Sequence, residues 1–450
     1  MTRSLLLMIL IILCASTMAQ EPNILLGRPT DRSITLNLLS GTDVPVYIEY
    51  GKTKESYSDK TSILNLKANK PETITIHGLS ADTRYYYRLQ YKKGLGSDPF
   101  TSGTPHRFQT QRKKGESFSF AVEADPHLDS NSIPEAYRLT LKNMLEKEPD
   151  FMIDLGDNFM NDKLPLINRD EITKRNTLFR SFFNELTHSV PLFIAIGNHE
   201  GETGWKAKPG QDSLPIWARQ TRKLYYPNPL PDGFYSGNNI ETKGIGYPEN
   251  YYAWEWGDAL FVVIDPYCNT KNRGEWNWTL GKDQYDWFKK TLENSRSRFK
   301  FVFSHQIVGG SGKEGRGGTE FVDLFEMGGK NTDGSWGFDN NRPGWGKPIH
   351  SLMVENKVSA FFHGHDHFFG KQEKDGIVYQ TVPQPSARNI NKITGSAYGY
   401  KEGVLMEGRG YLQVSVSPKD CKIDYIRTYL PGEERVERKN EEIAYSYIIK

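Results

Sequence analysis

Short apolar runs in this chain repeatedly lead into residues that can bind a metal ion. Five runs do so, and the residues are, in chain order, Asp125 with His127, Asp157, Asn198, His305, and His365 with His367. Ligands of open α/β sheets lie beyond the carboxyl ends of the strands. Such side chains at one strand end after another therefore predict a single shared site. A sixth run ends at Asp265, for which we expect a structural role.

The region from about residue 116 to 430 alternates strand and helix patterns, which is typical of an α/β domain. The expected helices begin near Pro134, with Ser132 as N-cap, and cover about 168–187, 283–294 and 348–356. The stretches 201–250 and 309–347 break the alternation, and we expect them to form loops over the site. Residues 431–450 form a C-terminal tail in which we expect a final strand.

The region 20–111 has a different pattern, and a chain of 450 residues is long enough for two domains. Its short alternating segments, separated by Gly, Pro, Asp and Asn, predict an all-β fold. The segment from Leu79 through Thr83 to Tyr85 resembles the corner of fibronectin type III domains. That resemblance implies a β-sandwich in which the Tyr hydroxyl bonds to upstream backbone.

Residues 1–19 have the pattern of a signal peptide. Arg3 precedes the apolar run Leu5–Leu13, and Thr17-Met18-Ala19 resembles a cleavage site. The run is shorter than the roughly 20 residues that a membrane-spanning helix needs. We therefore expect a secreted or periplasmic protein with no transmembrane segment.

The net charge and the number of cysteines argue against a nucleic-acid partner and against a disulfide framework. The net charge is only +2, so nothing favours nucleic acid as a partner beyond a nucleotide substrate. Cys268 and Cys421 follow the leader, and two cysteines cannot form a disulfide framework. Export would permit them to pair, but unpaired thiols are the simpler expectation.

The residue types at the strand ends predict the chemistry of the site. Asp, Asn and His supply oxygen and nitrogen ligands without a thiolate, which suits Mn, Zn or Fe. One carboxylate shared by two such ions would hold them about 3.5–4 Å apart. A pair of ions can activate a bridging hydroxide and stabilise an in-line displacement, so phosphate-ester hydrolysis suits this ligand set.

The motifs together resemble those of the calcineurin-like metallophosphoesterase superfamily. In chain order they are Asp125-x-His127, Gly156-Asp157, Gly197-Asn198-His199-Glu200, His305 and Gly364-His365-x-His367. Each motif alone is weak, but all five occur in the family order. The resemblance implies two central β-sheets flanked by helices, and a dinuclear site whose ions are divalent or mixed-valence.

The resemblance also implies a role for each ligand. Asp125, His127, Asp157 and His367 would hold one ion, while Asp157, Asn198, His305 and His365 would hold the other. His199 would face the substrate and stabilise or protonate it. We expect a carboxylate to orient His199, with Asp154 as the first candidate and Glu200 as the alternative.

Two residues are candidates for binding the phosphate group. Arg316 follows His305 on a glycine-rich loop, and a guanidinium can grip phosphate with two donors. Asn158 adjoins the shared Asp157 and could touch a phosphate oxygen. Solvated loop charge is an equally good interpretation of Arg316.

A β-sandwich before such a domain also resembles the purple acid phosphatases. The chain departs from them at His127, where their motif has Gly, and at Met160, where they have a metal-binding Tyr. We therefore expect no purple Fe(III) centre.

The sequence predicts an exported enzyme that acts on a small phosphorylated substrate. Phosphate monoesters are the first expectation, and a phosphodiesterase for nucleotides or glycerophosphodiesters would use the same ligands. A binding or adhesion protein with an inactive second domain is the remaining alternative. It is disfavoured because inactive relatives usually lose a ligand and this chain keeps them all.

Overall fold

The computed structural model describes residues 20–93, 98–208 and 212–450. The expected signal peptide at residues 1–19 lies outside them. Among the helices of these described ranges, none is both long enough and apolar enough to cross a membrane.

Two antiparallel sheets form the N-terminal region around their own apolar core. The first contains β1 (Asn23–Gly27), β2 (Ser33–Leu39) and β6 (Glu72–His77). The second contains β3 (Val44–Gly51), β4 (Asp59–Lys60), β5 (Leu64–Leu66), β7 (Arg84–Lys92), β8 (Phe100–Ser102) and β9 (His106–Gln109). The Tyr85 hydroxyl accepts a 2.9 Å bond from the backbone N–H of Ser80, which is the contact that the corner motif predicts.

Two larger sheets form the rest of the molecule. One contains β10 (Phe118–Glu123), β11 (Phe151–Asp154), β12 (Leu192–Ile194), β21 (Gly410–Val416), β22 (Cys421–Arg427) and β23 (Ile443–Ile449). The other contains β13 (Ser236–Gly237), β14 (Tyr252–Trp256), β15 (Ala259–Val263), β16 (Phe299–Ser304), β17 (Ala360–His363), β18 (Phe369–Lys374), β19 (Ile377–Thr381) and β20 (Val404–Met406). Strand β23 comes from the C-terminal tail and pairs with β22 at the sheet edge.

Helices pack on the outer faces of these two sheets, and further helices lie in the connecting segments. They are α1 (Pro134–Glu146), α2 (Arg169–Thr187), α3 (Leu214–Tyr225), α4 (Lys282–Asn294), α5 (Phe325–Gly328), α6 (Phe338–Asn341) and α7 (Ile349–Glu355). Strand β10 shows the layering, because Phe120 packs between the sheets while Ala121 packs against α1 and α2. Helices α4 and α7 cover the second sheet in the same way. The predicted fold class, a β region followed by an α/β domain with two central sheets, is confirmed.

Two local predictions are wrong. Ser132 does not cap α1, which begins at Pro134 with Ile133 before it and no side-chain cap. The Ser132 hydroxyl instead bonds to Asp129 and to neighbouring loop groups. The two stretches expected to be loops are not all loop. The first, 201–250, contains α3, whose Leu214 and Ala218 pack against Ile172 of α2. The second, 309–347, contains the short helices α5 and α6.

The N-terminal region packs against α2 and its C-terminal end. Buried Arg180 donates to Asn23 and Asn37 of the first sheet at 2.9 and 2.6 Å. His106 of β9 stacks on His188, with ring centroids 4.2 Å apart. Polar and aromatic contacts therefore join the two regions.

Candidate active site

The carboxyl ends of parallel strands bring the predicted ligands together. Strands β10, β11 and β12 run parallel in one sheet, and β16 and β17 run parallel in the other. The ligand-bearing loops follow these five strands. Because the two sheets pack face to face, residues from both meet at one edge of the core.

Six of the predicted ligand side chains form two adjacent groups. The first group contains Asp125, His127 and His367, and the second contains Asp157, His305 and His365. Within each group the potential ligand atoms lie within 4.8 Å of one another. Asp157 Oδ2 lies 3.2 Å from His305 Nε2 and 3.7 Å from His127 Nε2, so this carboxylate reaches both groups.

Three ligand atoms are buried without a hydrogen-bond partner in the described part of the chain. They are Asp125 Oδ1, His127 Nε2 and Asn198 Oδ1. Leaving a buried polar atom unsatisfied costs about 1–3 kcal/mol, so such atoms are rare unless something else binds them. All three belong to the predicted ligand set, and their oxygen and nitrogen chemistry fits a cation.

Other atoms of the predicted ligands, which would not face a metal ion, form hydrogen bonds within the protein. The His305 Nδ1–H donates to the Leu155 carbonyl at 2.9 Å, which leaves Nε2 for a metal ion. The His365 ring bonds through Nε2 to the Glu314 carbonyl at 2.8 Å, and its backbone N–H donates to Asp125 Oδ2 at 2.8 Å. Such outer contacts fix ring orientation and ligand basicity in metal sites.

The ligand loops have strained backbone. Five ligands have positive φ angles between 48° and 70°, namely Asp125, His127, Asp157, His365 and His367. A left-handed conformation costs a non-glycine residue about 1–3 kcal/mol and persists where the surroundings impose it. The fold therefore sustains this strain at the residues that converge on the site.

The glycines of the motifs permit close approach. A Cβ on Gly197 would lie 2.3 Å from Asp157 Oδ1, and one on Gly364 would lie 2.6 Å from Asp125 Oδ2. Real Cβ atoms do not approach other atoms this closely. Glycine is therefore required at both positions, because a carboxylate oxygen lies where the Cβ of any other residue would be.

The two buried acidic ligands are held ionised. Burial raises the pKa of Asp125 and of Asp157, but nearby His305 and other histidines outweigh burial and bring both pKa values well below the ordinary range. Ionised carboxylates at the junction of the two groups favour bound cations.

His199 lies beside the ligands, and its carboxylate partner is Asp162. The His199 Nδ1 is 2.9 Å from Asp162 Oδ1. Burial lowers the pKa of His199, but Asp157 and Asp162 outweigh burial and raise it above the ordinary value. The expectation that Asp154 or Glu200 orients His199 is not met by the structure.

Asp154 and Glu200 have other partners, which explains the difference. Asp154 Oδ1 accepts from the Gly156 N–H at 2.8 Å and from the Asn158 amide at 2.5 Å. Glu200 accepts from the backbone N–H groups of Asp157 and Gly197 at 2.9 and 2.6 Å. Both carboxylates are fully buried supports of the ligand loops.

The two predicted phosphate-binding residues are also engaged inside the protein. The Asn158 amide is fully buried and donates to Asp154. Arg316 donates to the His365 carbonyl and lies 3.2 Å from Asp366 Oδ1. The structure thus makes Arg316 a clamp on the loop that carries His365, with its guanidinium over the Tyr398 ring.

An open cleft of about 510 Å³ leads from the ligands to the surface. Its lining includes His127, His199 and His367 at the site, and then Leu128, Met160, Lys163, Leu164, Pro165 and Arg175. Sequence reasoning identified the three histidines but none of the others as site residues, except that Met160 was noted for not being Tyr. The others lack a motif, so only their position in the fold identifies them.

The remaining candidates are structural. Asp265 is fully buried and accepts from Asn250 and from the Tyr267 N–H at 2.6 and 2.8 Å. Cys268 and Cys421 are free thiols.

Comparison with known proteins gives one family and several relatives. The sequence profile of the calcineurin-like phosphoesterase family matches residues 118–369. Purple acid phosphatase 23 of Arabidopsis thaliana is 24% identical over 287 residues, which are 56% of this chain and 54% of that protein. The chain therefore spans about half the length of this curated relative.

Two solved structures share the fold. The structure of PhoD has a TM-score of 0.67 at 16% identity and covers 95% of this chain and 89% of its own. Purple acid phosphatase PPD1 from yellow lupin (Lupinus luteus) seeds has a TM-score of 0.62 at 13% identity. The match covers 95% of this chain and 74% of the lupin chain. At such low identity the likeness concerns the fold alone.

Proposed function

The chain belongs to the calcineurin-like phosphoesterase family, and we propose that it hydrolyses phosphate monoesters with two metal ions. The observation that carries this proposal is the pair of ligand groups that meet at Asp157, with His199 beside them. The family, the buried oxygen and nitrogen donors, and the unsatisfied ligand atoms all support it.

We assign the ligands to two ions that share Asp157. Asp125, His127, Asp157 and His367 would hold one ion, and Asp157, Asn198, His305 and His365 the other. The donors suit Mn, Zn or Fe. Ions bound there would lower the pKa of a water molecule and stabilise the charge of the phosphoryl group.

The protein's own groups position the substrate and supply a proton. Asp162 holds Nδ1 of His199, which leaves Nε2 as the ring nitrogen available to a substrate in the cleft. It can therefore donate to the oxygen of the leaving alcohol. Lys163 forms no ion pair within the described residues and provides a cation at the cleft for the dianionic phosphate.

A phosphodiesterase is the second candidate, because the cleft is open and has room for more than an inorganic phosphate. The deciding experiment strips the protein of metal, adds back Mn, Zn or Fe, and compares 4-nitrophenyl phosphate with bis(4-nitrophenyl) phosphate. Metal-restored hydrolysis that favours the monoester supports the first proposal. A higher rate on the diester would replace it with the second, and no hydrolysis with any metal would refute both.

An inactive binding protein is disfavoured by the same geometry. Every predicted ligand is present, and six of them lie in two groups that could each hold a metal ion. We also propose export, on the signal-like pattern of residues 1–19. Protein sequencing of the exported fraction should find a chain that begins at Gln20, and an uncleaved chain retained inside the cell would contradict export.

A further inference from the structure

The wall of the cleft beside His199 is apolar. Leu128, Met160, Leu164 and Pro165 form this wall, which we call the apolar wall. The next two residues of the chain are also apolar and exposed, Leu166 at 62% and Ile167 at 38%. A contiguous patch of exposed apolar side chains often marks a binding surface.

The leaving group must enter this cleft. His199 lines it with a fifth of its side chain exposed, and Asp162 occupies its Nδ1. Its Nε2 is therefore the nitrogen left to protonate the leaving oxygen. An ester oxygen beside His199 places the attached alcohol against the apolar wall.

Most polar side chains at the cleft already have partners within the protein. Arg175 donates to the carbonyls of His127 and Phe159, and the Asp129 carboxylate accepts from Asn131 and Ser132. Among the described residues, Lys163 makes no ion pair and is left for the phosphate. Exposed Asn131 is the remaining polar neighbour outside the histidines.

Two residues of the apolar wall have a strained backbone conformation. Leu128 and Met160 have φ angles of 56° and 48°, in the left-handed region that favours Gly and Asn. Apolar side chains are therefore presented where smaller or polar residues would be less strained.

We propose that the enzyme prefers phosphate esters of apolar alcohols, whose alkyl or aryl group packs on the apolar wall. The inference rests on the proposed function, since it concerns the substrate class of the same site. Burying a methylene can strengthen binding up to about fourfold. Selectivity should therefore rise with the length of the alcohol until the wall is covered.

The first experiment compares kcat/KM for butyl, hexyl and octyl phosphate with glycerol phosphate, each below its micelle concentration. The expected result is an increase of roughly threefold per methylene, with glycerol phosphate below butyl phosphate. Equal rates across the alkyl series, or a preference for glycerol phosphate, would overturn the inference while leaving the phosphoesterase function intact.

Variants of the wall localise the effect. Met160→Asn and Leu164→Asn should flatten the dependence on chain length, and Asn tolerates the left-handed backbone at position 160. Leu178→Asn, a matched change on the exposed face of α2, should leave it unchanged. A chain-length dependence that survives both wall variants would overturn the assignment to this wall.

A binding measurement separates the two proposals. Butyl- and octylphosphonate carry the anionic head without an ester bond, and calorimetry gives their affinities without turnover. Tighter binding of octylphosphonate, lost in Leu164→Asn, would support the apolar wall even if no ester were hydrolysed. Equal binding of both phosphonates would overturn it even if hydrolysis were found.

Discussion

The Nδ1 atom of His199 lies 2.9 Å from the carboxylate of Asp162. With Asp157, this contact offsets the effect of burial and raises the pKa of the imidazole. Proton donation by His199 should be lost as pH rises through this raised pKa. Asp162 therefore orients His199 and contributes to its raised pKa.

Replacing Asp162 by Asn should lower kcat by roughly 10- to 100-fold, a range typical of general acid–base groups and of their supports. Since one of the two charges that raise the pKa of His199 is gone, the basic limb of the kcat profile should move to lower pH. Asp170→Asn, an exposed change on α2, is the control. A lower rate with an unmoved basic limb would mean that Asp162 has only a structural role.

Gly197→Ala should disturb the shared ligand. The added Cβ would lie 2.3 Å from Asp157 Oδ1, so the carboxylate or the loop must move. We expect loss of bound metal and about a 100-fold loss of activity, with the fold retained by circular dichroism. Gly41→Ala, whose Cβ would meet nothing within 4 Å, is the control. Full metal content in Gly197→Ala would contradict the geometry of the site.

Arg316→Met distinguishes a loop clamp from a phosphate grip. Because Arg316 holds His365 and Asp366, its loss should reduce kcat by roughly tenfold and weaken metal retention, with KM little changed. Arg273→Met, which removes an exposed partner of Glu314 on the same loop, should have no such effect. If KM alone increased in Arg316→Met, the original expectation of a phosphate grip would be correct.

The stacked pair His106 and His188 predicts a pH-dependent stability. Burial lowers the pKa of His106 to about 3 and that of His188 to about 4, and each has a further cationic neighbour that acts in the same direction. Their contribution to stability is therefore present above the ordinary pKa of 6.5 and is lost as pH falls toward 4.

The measurement is Tm between pH 7.5 and 4.5 for the wild type and for His106→Phe, which keeps an aromatic ring against His188. Because one titrating group is removed, the variant should lose less Tm than the wild type over this range. An identical decline in both proteins would show that the pair does not couple stability to pH.

The sequence predicted which side chains converge because each follows a buried strand, and strand order brings such positions to one edge. It did not predict Asp162, which reaches His199 through a short 3-10 turn that follows Met160 with its left-handed backbone. The clamp by Arg316 also depends on a long loop folding back on His365. Such pairings arise from tertiary contacts that no local pattern contains.

Prediction of the fold failed in similar places. Helix α3 lies in a stretch whose Gly, Pro and aromatic residues indicated loops, and packing against α2 stabilises it there. The N-terminal sheets were predictable because alternation and the Leu79-to-Tyr85 corner are local signals. Local patterns therefore predicted the elements, while the supports of the site required the packed structure.

The central claim is that two metal ions share Asp157, and metal analysis tests it most directly. Metal-free protein should be titrated with Mn, Zn or Fe, and bound metal and hydrolysis of 4-nitrophenyl phosphate measured on the same samples. We predict two ions per chain, with activity appearing as the second binds, and weakened binding of both in Asp157→Asn. Full activity with one ion per chain, or unchanged metal content in Asp157→Asn, would contradict the shared site.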